Sequence, residues 1–210
     1  MQRHKHLSYA NREEIKIPAV QEKLKANLEK EFGATLLSAP DLAWKEYGLC
    51  YFVASEKALE CFQKLRSGDV FHFNMLVDVT AVDWLDKKEP RYEVVYQLLS
   101  TTYNHRLCIK IQATEEKPEV PSVVGIWKSA NFLEREVWDM YGIVFKDHGD
   151  LRRILMYDEF VGHPLRKDYP IRGKQPRVQM RLPELHNTAQ DMQREQLVSL
   201  PVRQRMYDTE

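Results

Sequence analysis

VFHFNMLVDVT, residues 70–80, is the stretch on which the reading of the fold turns. Phe71, Phe73, Met75, Val77 and Val79 alternate with His72, Asn74, Leu76, Asp78 and Thr80. A period of two held across the whole run is that of a strand with one face on a core and a mostly polar opposite face. On its C-terminal side, RYEVVYQLL (91–99) and RLCIKIQ (106–112) read as two more strands, and the STTYNH between them is short enough for a hairpin. On its N-terminal side, EKALECFQKLRS follows Ser55 as a capping residue, puts Leu59, Phe62 and Leu65 on one face and stops at Gly68, which predicts a helix. ATLLSA (34–39) and LCYFVA (49–54) predict two short strands. Ahead of them, residues 18–32 space Val20, Leu24, Leu28 and Phe32 four apart, with Pro18 at the start and Gly33 past the end, the signature of an amphipathic helix.

The order of elements predicts an α+β class: helices packed on a mixed, largely antiparallel sheet, followed by an extended C-terminal arm. The expected organisation is an N-terminal tail (1–17), one domain (18–170) and an extension (171–210). Past Pro170 the apolar periodicity weakens and too few large side chains remain for a second core, so the extension is expected to lie on something else.

With 43% hydrophobic and 30% charged residues among 210, the composition is that of a soluble globular protein. No window approaches the roughly 18 consecutive apolar residues of a membrane-spanning helix, and the first residues lack a signal-peptide core. Cys50, Cys61 and Cys108 form no C-x-x-C pair, which points to buried thiols in a reducing compartment and leaves too few ligands for a self-contained iron–sulfur cluster. The net charge is zero but unevenly spread. Residues 115–150 hold eight acids against four bases, and residues 151–182 eight bases against three acids, which predicts complementary surfaces or a polar partner.

FLEREVWDMYGI, residues 132–143, lies in the acidic stretch just ahead of the charge reversal. Asn131 is placed to cap this helix, with Glu134 reaching back as in a capping box, and Gly142 to end it. At roughly 100° per residue, Leu133, Val137, Met140 and Tyr141 share one side while Arg135 and Asp139 lie opposite as an i, i+4 pair. Glu134 and Glu136 flank the apolar stripe and need partners. Arg152 and Arg153, beyond the short strand IVF and the turn KDHGD, are the nearby supply, so that loss of Arg152 is expected to weaken assembly. GHPLRKDYP (162–170) follows, with Pro164 and Pro170 enforcing extended backbone and Leu165 and Tyr169 as apolar anchors, suited to docking along a surface.

Two runs, ANFLEREVWDMYGIVFKDHGDLRRIL and GHPLRKDYP, resemble the hallmark of the C-type subunit of proton-pumping NADH:quinone oxidoreductase, respiratory complex I. The resemblance rests on Glu134, Arg135, Glu136, Asp139, Met140, Tyr141, His148, Arg152 and Arg153, with DVTAVDW (78–84) as a weaker match, and spans residues 20–170. It implies a small α+β member of the peripheral arm with no cofactor of its own, FMN, the iron–sulfur clusters and quinone being carried by other subunits. It further implies docking on the D-type subunit, which forms the quinone pocket together with the B-type one. The B-, I- and G-type subunits are the further neighbours it implies, at the cytoplasmic or matrix-equivalent face of an energy-conserving membrane, as in the bacterial inner membrane. Arg166, Lys167 and Asp168, with His163, Pro164 and Tyr169 beside them, are expected at the docking interface. Related subunits serve deazaflavin-dependent dehydrogenases, plastid-type complexes and membrane-bound hydrogenases, so the donor is less determined than the architecture.

Other readings are weaker on the residues. His148, His163, Asp150 and Asp168 lack metal-binding spacing and read as turn residues; Asp78 and Asp83 read as structural acids. Trp44, Trp84, Trp127 and Trp138 read as core or interface anchors. A nucleic-acid module built on the basic stretch 151–182 is opposed by the acidic stretch beside it, and a hydrolase lacks a nucleophile.

Overall fold

Short β-branched and aromatic runs separated by two amphipathic helices give a five-stranded sheet with helices on one face. The computed structural model describes residues 19–40, 49–172 and 175. The predicted tail, the start of the first helix at Pro18, the connection holding Trp44 and most of the C-terminal extension lie outside these residues. The described residues belong to one compact unit within residues 1–175.

The elements are α1 (Ala19–Leu36), β1 (Leu37–Pro40), β2 (Leu49–Val53), α2 (Ala58–Ser67), β3 (Met75–Asp83), β4 (Tyr92–Ser100), β5 (His105–Ala113), β6 (Glu119–Pro121), α3 (Ala130–Tyr141) and β7 (Val144–Lys146). The main sheet has the order β1-β2-β5-β4-β3, antiparallel at every junction except the parallel β2–β5 pair. The expected mixed, largely antiparallel sheet is therefore what forms. The proline-containing stretch TEEKPEVPS, residues 114–122, contains β6, which pairs in parallel with β7 and ties the approach to α3 to its exit.

One apolar core joins the helices to the sheet. Leu24, Leu28 and Phe32 of α1, Cys61, Phe62 and Leu65 of α2, and Ala130 and Val137 of α3 pack with Val94, Tyr96 and Leu98 of β4 and Ile109 and Ile111 of β5. Phe62 sits at the centre, 4.9 Å from the Tyr96 ring and 5.7 Å from Trp127. Each such side chain contributes about 1.5–3 kcal/mol when fully buried.

Three expectations need correction. Met75 and Val77, placed on the core face by the alternation, are exposed by 47% and 38%. The cause is a β-bulge: Leu76 pairs with Leu98 and Asp78 with Gln97, so Val77 is an extra residue that reverses the faces, and Val79, Ala81 and Asp83 point inward beyond it. Phe71 and Phe73 are buried but precede the strand, with His72 between them in the left-handed region. Ser55 makes no side-chain cap; Ser55–Lys57 form a 3-10 turn whose Ser55 carbonyl accepts the Ala58 N–H. That turn rotates α2 so that Ala58 faces inward and Leu59 outward.

Candidate functional site

The charged helix α3 is held from three directions by polar contacts, each made to a different stretch of chain. Toward β6, the buried Glu134 carboxylate accepts the Ser122 hydroxyl and the Val123 N–H, both at 2.7 Å. Burial, outweighing these two donors, pushes its carboxyl up to about 7. His148 Nδ1 accepts the Asp150 N–H at 3.1 Å, which leaves Nε2–H to donate to the Asn131 carbonyl at 3.2 Å, 4.0 Å from Glu134.

The expected capping box does not form, because Asn131 lies inside the helix behind Ser129 and Glu134 turns to the β6 loop. The arginine partners expected for Glu134 and Glu136 are likewise absent. Backbone and hydroxyl donors reach Glu134 first, and Glu136 is exposed, with no ion pair among the described residues.

Arg135 and Asp139, expected to form an i, i+4 pair opposite the apolar stripe, are buried under residues 152–162 and do not bond each other. Asp139 is the hub. Its Oδ1 accepts Arg153 at 2.5 Å, and its Oδ2 accepts the N–H groups of Ile154, Leu155 and Met156 at 3.1, 2.9 and 2.9 Å. Although burial raises its carboxyl, those four donors prevail and hold it below the usual range.

Arg135 donates to the carbonyls of Arg152 and Arg153 at 3.1 and 3.0 Å. The Arg153 guanidinium continues to the carbonyls of Phe160 and Gly162 and lies over the rings of Trp138 and Phe160. Arg152 differs: its side chain is 70% exposed and, among the described residues, pairs only with exposed Asp150, a contact worth about 0–1 kcal/mol, so the weakened assembly expected on its loss passes to Arg153.

At the C-terminal end of α3 all four carbonyls left without helical partners are satisfied. Gly142, in the left-handed region at φ 77°, donates to Trp138 at 2.8 Å. His163 Nδ1–H donates to Asp139 at 3.0 Å, the Leu165 N–H to Met140 at 3.0 Å and Arg166 Nε to Tyr141 at 2.7 Å. Three of the four donors come from GHPLRKD, so this segment is the C-cap of α3. A Cβ on Gly142 would stand 2.7 Å from the His163 ring. Burial first, and then the nearby Arg166 and Arg153, hold the His163 pKa below its ordinary value, against the raising effect of its bond to Asp139. Pro164 leads into this cap, and Tyr169 stacks on Phe160 at 5.9 Å and contacts Gln175.

The segment that caps α3 is itself fastened to the β3–β4 hairpin. Arg91 bonds Asp83 through two nitrogens at 2.8 and 2.9 Å, Glu115 at 2.5 Å and Asp168 at 3.0 Å. Asp83 also accepts the N–H groups of Leu85 and Lys167. Burial opposes ionisation of Asp83, but Arg91 and the two amides bring its carboxyl down to about 2. Arg166 and Asp168 thus contact this chain's own domain, while the Lys167 side chain is exposed.

Arg91 and Glu115 were missed in the sequence. A signal existed in Asp83 and Arg91, opposite charges at the ends of two successive apolar strands. In the segment that makes these contacts, Leu155, Val161 and Leu165 are exposed by 57%, 65% and 49%. No three His, Cys, Asp or Glu side chains among the described residues converge as a metal site requires. No helix among them is long and apolar enough to cross a membrane.

Residues 51–175, which hold β3, β4 and β5 of the sheet, α3 and the polar contacts just described, match the family described as "Respiratory-chain NADH dehydrogenase, 30 Kd subunit". The chain is 42% identical over 146 residues to the C-type subunit of NADH-quinone oxidoreductase from Geobacter sulfurreducens, covering 70% of this chain and 87% of that protein. It is 45% identical over 123 residues to the corresponding protein of a Roseiflexus species, covering 59% and 70%. Among solved structures, a chain of the membrane-bound sulfane sulfur reductase, an archaeal respiratory membrane complex, has the same fold, with a TM-score of 0.58 at 24% identity, covering 72% of this chain and 85% of that one.

Proposed function

Because the chain belongs to the family of the respiratory-chain NADH dehydrogenase 30 kDa subunit, whose relatives are named as the C-type member of NADH-quinone oxidoreductase, we propose that it is a non-redox structural subunit of the peripheral arm of a proton-pumping enzyme of that kind. Its role in this reading is to dock on the D-type subunit and hold it beside the B-, I- and G-type subunits, on the cytoplasmic or matrix-equivalent face of the membrane. FMN, iron–sulfur clusters and quinone belong to those other subunits. Membrane contact is made only through the assembly.

One observation carries the reading: residues 152–169 spend their polar groups inward on α3 and the β3–β4 hairpin, and leave Leu155, Val161 and Leu165 outward. A segment fixed so firmly on one side, with exposed apolar side chains on the other, is a rigid docking ridge, and rigidity lowers the entropic cost of association.

The test is purification in mild detergent through a tag on this chain, comparing the natural sequence with Leu165→Asp. The D-type partner and NADH-driven quinone reduction are expected to accompany the former and to fall about tenfold or more with the latter, the equivalent of 1.4 kcal/mol at the interface. Undiminished recovery of that partner with Leu165→Asp would refute the ridge as the docking surface.

A further inference from the structure

β2 and β5 form the parallel junction of the main sheet, and their register sets Leu49 opposite Leu107, Cys50 opposite Cys108 and Tyr51 opposite Ile109. Alternation sends Leu49, Tyr51, Leu107 and Ile109 into the helix-covered core. It sends Cys50 and Cys108 to the opposite face, where they form a small cluster with Val95 and Val82. Their Sγ atoms lie 3.1 Å apart, the Cys50 thiol donating to that of Cys108. Both are buried, at 2% and 5% exposure.

Neighbouring strands stand about 4.8 Å apart, inside the Cα separation of roughly 4.4–6.8 Å that a disulfide accepts. With the sulfurs already 3.1 Å apart, a bond between them needs side-chain rotation and closure of the gap to about 2.05 Å. Cys61 is no competitor: it lies in α2, in the core on the other face of the sheet. Burial pushes its thiol up to about 12.

We propose that Cys50 and Cys108 are a dithiol that oxidises to an intramolecular disulfide with a two-electron oxidant of the peroxide class. One sulfur, as thiolate, attacks a peroxide oxygen; the O–O bond breaks, hydroxide leaves and takes up the displaced proton as water, and a sulfenic acid remains. The second sulfur attacks the first, the S–S bond forms, the S–O bond breaks and a second water leaves. The protein loses two hydrogens and the peroxide is reduced to two waters. A thiol reductant reverses the change.

The bond joins residues 58 positions apart across the parallel junction, so it fastens the β1–β2 ribbon to the β5–β4–β3 meander. Burial makes the first step slow, while a second sulfur in contact captures the sulfenic acid before further oxidation. In a reducing compartment the pair is a reserve that closes under oxidative load, the usual character of an intracellular disulfide.

The test uses the full chain within its native assembly. The assembly is exposed to hydrogen peroxide until an added exposed thiol is fully oxidised, then denatured in alkylating reagent, digested without reduction and sequenced by mass spectrometry. A peptide pair linked through Cys50 and Cys108 is expected, lighter by two hydrogens than the separate peptides and released by dithiothreitol, with Cys61 alkylated. Complete alkylation of Cys50 and Cys108, a bridge to Cys61, or sulfinic acid at either residue in place of the bridge would overturn the proposal. Because the natural chain is read directly, the result does not depend on a variant that fails to fold.

Discussion

The core between α1, α2 and the sheet and the clamp around α3 are both buried, yet they are held by opposite kinds of interaction. In the core, Leu28, Phe62 and Ile109 make nondirectional contacts that a similar volume could replace at a cost below about 1.5 kcal/mol. In the clamp, Asp139 and Arg135 each face partners that water no longer serves, so removing one group leaves others unsatisfied. The contrast teaches that burial of apolar surface builds this domain, whereas directed polar bonds shape the part that faces outward.

The largest effect expected from breaking that contrast is Asp139→Ala. It strands the Arg153 guanidinium and three backbone N–H groups, a loss of about 3–5 kcal/mol by analogy with a broken buried pair. Denaturant unfolding should register that loss, and hydrogen exchange at Ile154, Leu155 and Met156 should accelerate. Leu28→Met in the core should leave both nearly unchanged.

An intermediate effect comes from the buried acid on the β6 side. The folded chain holds the Glu134 proton up to about pH 7, while the unfolded chain releases it near 4.5. Stability is therefore expected to fall as pH rises through that window, by about 3 kcal/mol in all at roughly 1.36 kcal/mol per pH unit. Asp83 has the opposite sign: with its folded carboxyl at about 2, its contribution is present above the ordinary 3.8 and is lost as pH falls between the two. Urea midpoints at pH 5 and pH 8 should differ in the natural chain and converge in Glu134→Gln.

The smallest effect is expected from Gly142→Ala, about 1–2 kcal/mol for a left-handed residue bearing a Cβ, with the His163 contact adding to it. Thermal unfolding gives the size. An enlarged effect of Gly142→Ala that disappears in a chain already carrying His163→Ala would trace the extra cost to the cap.

The two regions also differ in how far the sequence exposed them. Periodicity revealed the α1 stripe, the strand pairs and the class of the sheet, because Leu24, Leu28 and Phe32 or Tyr92, Val94 and Tyr96 repeat with the geometry of their elements. It concealed the bulge, since Met75, Leu76 and Val77 are all apolar and an extra residue leaves no compositional mark. In the clamp, the resemblance singled out Glu134, Arg135, Asp139 and Arg153, but helical spacing gives only the direction in which a side chain leaves the helix. Which later residue covers it depends on chain returning from far away: Asp168 meets Arg91 across 77 positions, and Cys50 meets Cys108 across 58. Arg152 and Arg153 are indistinguishable by type and one residue apart, yet one is solvated and the other closes the clamp.

That pair of neighbours supplies the most direct test. Tagged Arg153→Ala and Arg152→Ala chains would be purified in mild detergent and the amount of the proposed D-type partner recovered per chain compared with the natural sequence. Recovery is expected to fall about tenfold or more for Arg153→Ala, whose loss leaves Asp139 without its cation, and to stay near the natural level for Arg152→Ala. Equal recovery from the two variants would contradict the account that the clamp on α3 holds the docking segment in place.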